Sequence, residues 1–121
     1  CFVTGNSDMH LKNFSLIERE PGCREYVLSS AYDLLSVNVI MPEDTEELAL
    51  TLNGRKRKIK KSDFEVAMQA SGLDRKVMDN VFNKFLKVQD KWFEFINGSF
   101  LPDDMQERYR VIIADKLAML R

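Results

Sequence analysis

The sequence has little of what specialises a chain for secretion, structural metal binding or membrane insertion. Its two cysteines, Cys1 and Cys23, are too few for a disulfide framework and lack the spacing of a metal site. No apolar run approaches the ~20 residues of a membrane span. The 18 basic and 19 acidic side chains leave a net charge of −1, which gives no global electrostatic reason to bind nucleic acid or lipid. We therefore expect a cytoplasmic protein in a reducing compartment.

The remaining composition is that of an ordinary globular domain. The chain has 121 residues, of which 45% are hydrophobic and 31% charged, and this length suits one domain over residues 1–121. A polar motif lies within thirteen residues of the first residue, where a free chain end usually frays. We therefore expect a piece of a longer protein, with a polar loop and hairpins over residues 1–61 and a helical bundle over residues 62–121.

The first half of the chain shows the alternation of short strands. Residues 14–28 alternate around Glu20-Pro21-Gly22, a sequence typical of a turn, and predict a β-hairpin. Residues 47–52 alternate again before Asn53-Gly54, a strong signal for a two-residue hairpin turn. The arm that follows, residues 55–61, is almost entirely basic. We predict an exposed two-stranded ribbon here, which projects away from the core.

From Ser62 onwards the apolar residues follow helical spacing. Ser62 and Glu65 predict a capping box, and Gly72 suits the C′ position that ends this helix. Asp74 predicts the N-cap of a second helix that continues to Asn97-Gly98.

Pro102-Asp103 opens a third predicted helix. The aromatic stripe along the second helix predicts core packing more strongly than a cofactor site, and Trp92 is taken as a core residue. The stripe comprises Phe82, Phe85, Trp92 and Phe93. The predicted fold class is α+β, mainly α, with small hairpins and a bundle of at least three helices.

The richest cluster of reactive side chains is GNSDMHLKNFSLI, residues 5–17. Phosphoryl transfer needs a carboxylate to accept the hydroxyl proton and oxygen ligands to hold Mg²⁺ against the phosphates. The kinase spacing D-x-x-x-x-N of base and metal ligand is met by Asp8 and Asn13, and Asp33 follows after the predicted hairpin. The spacing also occurs by chance in surface loops, so the pattern alone leaves both interpretations open.

Three segments resemble those of one protein family. Asp8-Met9-His10-Leu11-Lys12-Asn13-Phe14-Ser15 is similar to the D-x-H-x-K-N-F-S signature of HipA-like toxin kinases. Ala31-Tyr32-Asp33-Leu34-Leu35-Ser36 resembles the family's Y-D-x-x-S segment, and Leu48-Ala49-Leu50-Thr51-Leu52-Asn53-Gly54 resembles its L-A-L-x-L-N-G ribbon. HipA-like proteins are serine/threonine kinases that act as toxins of bacterial toxin–antitoxin pairs. The resemblance implies the C-terminal helical lobe of a protein-kinase-related fold.

The resemblance also implies a role for each residue of the loop. Asp8 would be the catalytic base, while Asn13 and Asp33 would bind Mg²⁺ and orient the phosphates of ATP. Lys12 could be the cation near the transferred phosphate, although ordinary protein kinases place that Lys two residues after the Asp. His10 occupies that position here, and we interpret it as a loop-organising residue.

Partners also follow from the resemblance. It implies a HipB-like DNA-binding antitoxin, so that DNA is reached only through the antitoxin, and a protein substrate such as an aminoacyl-tRNA synthetase. The five glycines do not form a glycine-rich loop. In the family the parts that cover the phosphates precede this region, so residues 1–121 alone are expected to be inactive.

Two other classes of function fit parts of the sequence. A non-enzymatic or split-kinase module would keep the scaffold and bind an antitoxin or an acidic protein, yet Asp8, Asn13 and Asp33 all retain the side chains that phosphotransfer requires. A nucleic-acid patch could use the basic arm, residues 55–61, although such a run is more often a solvated arm. We expect this arm to recruit an acidic partner near the rim of the cleft.

Overall fold

The computed structural model describes residues 1–121 as a mainly helical protein with one small sheet. A loop over residues 1–10 leads into a 3-10 turn, Leu11–Asn13, and then into the hairpin. The hairpin strands are β1 (Leu16–Glu18) and β2 (Tyr26–Leu28), and the helices are α1 (Val37–Ile40), α2 (Lys61–Ala70), α3 (Arg75–Lys87), α4 (Gln89–Asn97) and α5 (Asp103–Ala118). The predicted fold class, mainly α with at least three helices, is confirmed. None of the helices combines the length and apolarity of a membrane span.

The predicted hairpin over residues 14–28 is confirmed. β1 and β2 are antiparallel, with Leu16 opposite Leu28 and Glu18 opposite Tyr26. The turn between them contains Gly22 with φ +82°, a left-handed conformation that glycine adopts without a steric cost. The local turn chemistry was therefore sufficient to identify this element.

The second predicted hairpin, over residues 47–61, is wrong. Asn53 and Gly54 do form a tight turn with φ +49° and +75°, but strand pairing stops at one bridge between Leu52 and Arg55. The arm folds back onto the protein because Ile59 is fully buried in the core. Burial of a large aliphatic side chain is worth about 1.5–3 kcal/mol, more than the ~1 kcal/mol of a ladder hydrogen bond.

Helix α2 begins with a cap other than the predicted one. Lys60 is the N-cap, and its backbone N–H donates to Oδ2 of Asp63 at 2.8 Å. The predicted Ser62–Glu65 capping box is therefore wrong. The predicted helix end is confirmed, since Gly72 has φ +81° and Leu73 donates its N–H to the carbonyl of Met68 at 3.1 Å, as in a Schellman motif.

The long helix predicted from Asp74 to Asn97 is two helices in the structure. The Asp74 cap is confirmed by a hydrogen bond from the Val77 N–H at 2.9 Å. At Val88 the helix breaks, and the Val88 N–H bonds the carbonyl three residues earlier, that of Phe85. Beyond the break α4 packs against α5, and Ile96 joins the core. Burial of Ile96 outweighs the net ~1 kcal/mol of one helical hydrogen bond.

The core lies between the first residues of the chain and the helices. It is formed by nine buried side chains: Phe2, Val3, Ile59, Met78, Phe82, Ile96, Ile113, Leu117 and Leu120. The prediction that the whole aromatic stripe is core needs correction, because only Phe82 is buried. Phe85 is 37% exposed, and Trp92 is partly buried, with its ring edge-on to that of Phe85 at 6.2 Å.

Candidate active site

The loop that carries Asp8 is anchored by apolar side chains on both sides. Phe2, Val3 and Met9 are buried, whereas Asp8 is exposed. Gly5 has φ +65°, and a Cβ there would lie 3.0 Å from Ser36 Oγ and 3.1 Å from a methyl group of Ile112. Only glycine suits this combination of backbone and space. The loop is thus fixed against the protein while its acidic residue faces solvent.

Asn13 and Asp33 meet in the structure, although twenty residues separate them. Nδ2 of Asn13 donates a hydrogen bond to Oδ2 of Asp33 at 2.6 Å. The 3-10 turn Leu11–Asn13 places Asn13 at its end, and the Asn13 side chain is buried while Asp33 remains exposed. The two residues predicted as metal ligands are therefore side by side.

The hairpin is what returns Asp33 to Asn13. The hydroxyls of Ser15 and Ser29 lie 3.1 Å apart, and the Tyr32 hydroxyl donates to the carbonyl of Lys12 at 3.1 Å. Asp33 itself has φ +54°, a left-handed conformation that is uncommon outside glycine and tolerated best by Asn and Asp. Such backbone strain at a polar contact is typical of functional sites.

Unsatisfied polar atoms concentrate in the same region. Four buried side-chain polar atoms have no hydrogen-bond partner: Asn6 Nδ2, His10 Nδ1, Asn13 Oδ1 and Ser36 Oγ. The first three belong to the loop and its 3-10 turn, and the fourth lies against Gly5 of the same loop. Because buried polar groups are almost always paired with protein groups or with ordered water, this concentration marks the loop as a place where water or a ligand completes the bonding.

The Asn13–Asp33 pair fits a magnesium ion. The amide nitrogen of Asn13 is used by Asp33, which leaves the buried Oδ1 as a free acceptor. An amide oxygen beside one carboxylate is a donor set that Mg²⁺ takes in phosphate-binding sites, with water and substrate phosphates as the other ligands. No three His, Cys, Asp or Glu side chains converge on a common point anywhere in the chain, so a cage built only from such protein ligands is not formed.

The other predicted site residues precede Asn13 on the same loop and 3-10 turn. The carboxylate of Asp8 makes no hydrogen bond or ion pair, and it lines a surface depression of about 390 Å³ with Ser7, Asp44 and other residues. Lys12 is exposed and unpaired. His10 shapes the loop through its backbone, since its N–H donates to the carbonyl of Asp8 at 2.9 Å and its carbonyl accepts from Asn13 at 3.0 Å.

The basic arm does not extend freely into solvent, because three carboxylates lie near it, and Lys56 forms an ion pair with that of Glu46 at 3.3 Å. The Asn53 amide donates to Asp63 at 2.8 Å. This bond, the backbone N–H of Lys60 and the nearby positive charge of Arg55 lower the pKa of Asp63. Arg57 similarly faces Asp44. Part of the arm's charge is thus balanced within the protein.

Sequence reasoning assigned no role to four residues that hold the site together, Asn6, Ser7, Tyr32 and Asp44. Asn6 accepts the Asp8 N–H at 3.1 Å, Ser7 donates to Asp44 at 2.7 Å, and Tyr32 bonds the Lys12 carbonyl. Asn6 and Ser7 directly precede Asp8, so their position next to it was a signal. Asp44 lies 36 residues after Asp8, and no local pattern in the sequence predicts that it contacts the loop.

The fold and the site together define a class of protein. A helical domain carries an Asp–Asn loop whose Asn is bonded, across a hairpin, to a second Asp. The family described as HipA-like C-terminal domain matches residues 1–92, which is more than half of the chain and includes every candidate site residue. The chain belongs to this family.

A curated relative agrees with this assignment. The chain is similar to the protein "Putative kinase Y4dM" of Sinorhizobium fredii, with 36% identity over 92 residues. The aligned region is 74% of this chain and 22% of that relative. The chain thus spans about a fifth of the length of the relative it matches.

Proposed function

We propose that this chain is the catalytic-loop region of a protein kinase that transfers the γ-phosphate of ATP to a serine or threonine hydroxyl of a protein. The observation that carries the proposal is the hydrogen bond between Asn13 and Asp33, because it joins an amide and a carboxylate of the type that hold metal and phosphates in kinases. Membership of the HipA-like family and a relative named as a kinase support the same class of reaction.

In the proposed reaction, the oxygen of the acceptor hydroxyl forms a bond to the γ-phosphorus. The bond from that phosphorus to the bridging oxygen breaks, and ADP leaves with its electron pair. Asp8 accepts the hydroxyl proton, a role that its unpaired and exposed carboxylate suits. Lys12, which is also free of ion pairs, is the proposed cation beside the transferred phosphate.

Asn13 and Asp33 are the proposed ligands of Mg²⁺. When bound, the ion supplies charge neutralisation on the β- and γ-phosphate oxygens. Asn13 contributes its free Oδ1, since its amide nitrogen is oriented by Asp33. The bond to Asp33 fixes the orientation of the Asn13 side chain before nucleotide arrives.

The family suggests the biological setting. We propose that the whole protein is the toxin of a toxin–antitoxin pair, restrained by a HipB-like DNA-binding antitoxin. The acceptor would be a protein of translation such as an aminoacyl-tRNA synthetase. The basic arm, residues 55–61, would recruit an acidic partner, with the charges not balanced by Asp44, Glu46 and Asp63 available for that contact.

A non-enzymatic or split-kinase interaction module is the second candidate. It is favoured by the apolar side chains that the hairpin exposes on one face, Leu16, Tyr26 and Leu28, each more than 60% exposed. Contiguous exposed apolar side chains are typical of surfaces that bind another protein. This candidate predicts partner binding without Mg²⁺-dependent binding of ATP.

The test is phosphotransfer by the full-length protein that carries this region, with Asp8→Ala and Asp33→Ala compared. Loss of a general base typically costs about 10²–10⁴-fold in rate, and we expect at least that loss in both variants. Only Asp33→Ala should also weaken Mg²⁺-dependent nucleotide binding, which isothermal titration measures, because Asp8 does not bind the metal.

Asp79→Ala is the matched control, since Asp79 is an exposed carboxylate on α3 that pairs only with Arg75. Its activity and nucleotide binding should equal those of the unaltered protein. Retention of phosphotransfer by Asp33→Ala would refute the proposed site. Unaltered protein that binds a partner but neither binds nor consumes ATP would favour the interaction module.

A further inference from the structure

The loop that carries Asp8 is tied to a distant segment by one side chain. Ser7 is 6% exposed, and its hydroxyl donates to Oδ2 of Asp44 at 2.7 Å. Among the side chains of residues 6–10, that of Ser7 is the one that bonds outside the loop, since Asn6 bonds only the N–H of Asp8. Ser7 is joined to Asp8 by a single peptide bond.

The acceptor, Asp44, is held as firmly as the donor. Its Oδ1 accepts the backbone N–H of Glu46 at 2.9 Å, while Nδ2 of Asn38 donates to the carbonyl of Asp44 at 3.2 Å. The N–H of Asn38 donates in turn to the carbonyl of Gly5 at 3.1 Å. The loop and the Asp44 segment are therefore connected twice, through Gly5 and through Ser7.

Asp8 has few constraints of its own. Its carboxylate makes no bond, and its backbone bonds only Asn6 and His10, both within the same loop. The direction of the carboxylate thus depends on the backbone of residues 6–10. The Ser7 hydroxyl makes the side-chain hydrogen bond that connects this backbone to a distant segment, in addition to the packing of the buried Met9 side chain.

The bond between Ser7 and Asp44 is charge-assisted at neutral pH. The Ser7 hydroxyl and the Glu46 N–H lower the pKa of Asp44, with a further contribution from Arg57. Hydrogen bonds to an ionised acceptor are shorter and roughly twice as strong as neutral ones. Such a bond holds the loop backbone beside Asp8 more firmly than a neutral hydrogen bond would.

We infer that Ser7 and Asp44 form a positioning pair, which orients the Asp8 carboxylate toward the acceptor hydroxyl. The inference rests on the proposed kinase function. Neither residue contacts reacting atoms, and their effect is exerted entirely through the peptide backbone at Asp8. A structural role alone would affect stability without selectively affecting the chemical step.

The activity test uses the full-length protein that carries this region, with Ser7→Ala, Asp44→Ala and the double variant. Misplacement of a catalytic group by about 1 Å costs about 10²-fold in rate, and we expect kcat to fall about 10–100-fold in each variant. The KM for ATP should stay within about twofold, since nucleotide binding uses other residues. The double variant should lose no more than either single variant, because both remove the same bond.

Ser7→Thr keeps the hydroxyl and should retain most of the kcat, whereas Ser7→Val has nearly the same shape as threonine without the hydroxyl and should lose kcat as Ser7→Ala does. Ser99→Ala is the matched control, because it removes a hydroxyl that bonds the Ile96 carbonyl on the connection between α4 and α5. All rates are compared below the unfolding midpoint of every variant. Unchanged kcat in Ser7→Ala and Asp44→Ala, with activity lost in Asp8→Ala, would overturn the inference while leaving the kinase intact.

A second measurement is independent of activity. Amide hydrogen exchange at Asp8 and His10 in the 121-residue chain should be faster in Ser7→Ala and Asp44→Ala, and normal in Ser7→Thr and Ser99→Ala. If the unaltered full-length protein transfers no phosphate, the proposed function fails. The exchange rates then show by themselves whether the Ser7–Asp44 bond fixes the backbone at Asp8. Faster exchange supports it and unchanged exchange refutes it.

Discussion

At the scale of single residues, the site is built from a few atoms whose bonding is incomplete. Asn13 is bound by Asp33 through its nitrogen and keeps a free, buried oxygen. Asp33 adopts a left-handed backbone conformation where it makes that contact. Desolvation of an unpaired polar atom costs about 1–3 kcal/mol, so this arrangement persists because the surrounding structure holds it. The residues of the site are thus held in a strained and incompletely bonded arrangement by the rest of the structure.

The packing of the loop that carries Asp8 can be tested at Gly5. Gly5→Ala adds both left-handed strain and crowding against Ser36 and Ile112, and we expect it to reduce the free energy of unfolding by about 2–4 kcal/mol. Gly22→Ala is the control, since its φ is also positive but nothing lies within 4 Å of the added Cβ. It should cost only about 1 kcal/mol in urea unfolding. Equal losses would show that the loop is not packed as described.

At the scale of elements, local signals and long-range packing act on different parts of the same helix. Asp74 caps the start of α3 by accepting the Val77 N–H with its side chain, which is a local cause. The break at Val88 has no such local cause, since neither proline nor glycine lies beside it. After the break, α4 buries Ile96 and leaves Phe95 81% exposed. The helix boundary is therefore a result of how α4 packs on α5.

The burial of the aromatic stripe predicts a ranking of substitutions. Phe82 is 4% exposed and belongs to the core cluster, whereas Trp92 is partly buried and packs against that cluster from outside. Phe82→Ala should reduce the free energy of unfolding by about 3–5 kcal/mol, and Trp92→Ala by about 1–3 kcal/mol. Urea unfolding of both variants checks this order. A larger loss for Trp92→Ala would place that ring inside the core, as the sequence pattern alone predicts.

At the scale of the whole molecule, the two halves of the chain share one core. Phe2 and Val3 from the first residues pack with Leu117 and Leu120 from the last helix and the turn after it. Ile59 of the basic arm is buried among them. Unfolding of either half thus exposes apolar surface of the other, and cooperative unfolding is expected of such a molecule.

Two carboxylates that bond distant parts of the chain make the stability of the fold depend on pH in the acidic range. The Asn53 amide and the Lys60 N–H lower the pKa of Asp63, and the Ser7 hydroxyl lowers that of Asp44. A carboxyl whose pKa is lower in the folded state stabilises the fold at any pH above its ordinary pKa of 3.8. This contribution disappears as the pH falls through the pKa of the folded state. The urea midpoint should therefore decline below about pH 4.

Asn53→Gly tests the assignment, because glycine suits the positive φ at this position while the amide is removed. The decline of the urea midpoint with falling pH should become shallower in this variant. An unchanged acid dependence would mean that the bond from Asn53 to Asp63 contributes nothing to the pKa of Asp63.

Much of the fold and the identity of the candidate residues followed from the sequence by itself. The turn at Glu20-Pro21-Gly22, the Asp74 cap and the helix end at Gly72 depend on the preferences of a few neighbouring residues, which local spacing reveals. The spacing of Asp8, Asn13 and Asp33 likewise identified a candidate site. Such signals depend on neighbouring residues and change little with the packing of the rest of the chain.

Only the tertiary structure decided the features that depend on distant partners. The break at Val88, the return of the basic arm through Ile59 and the partial exposure of Trp92 follow from which apolar surfaces meet, and this cannot be read from spacing within one element. The bond from Ser7 to Asp44 joins residues 37 positions apart. Its formation depends on how the loop and the segment after α1 pack, because a hydrogen bond of this range needs both partners to be held in place by the fold.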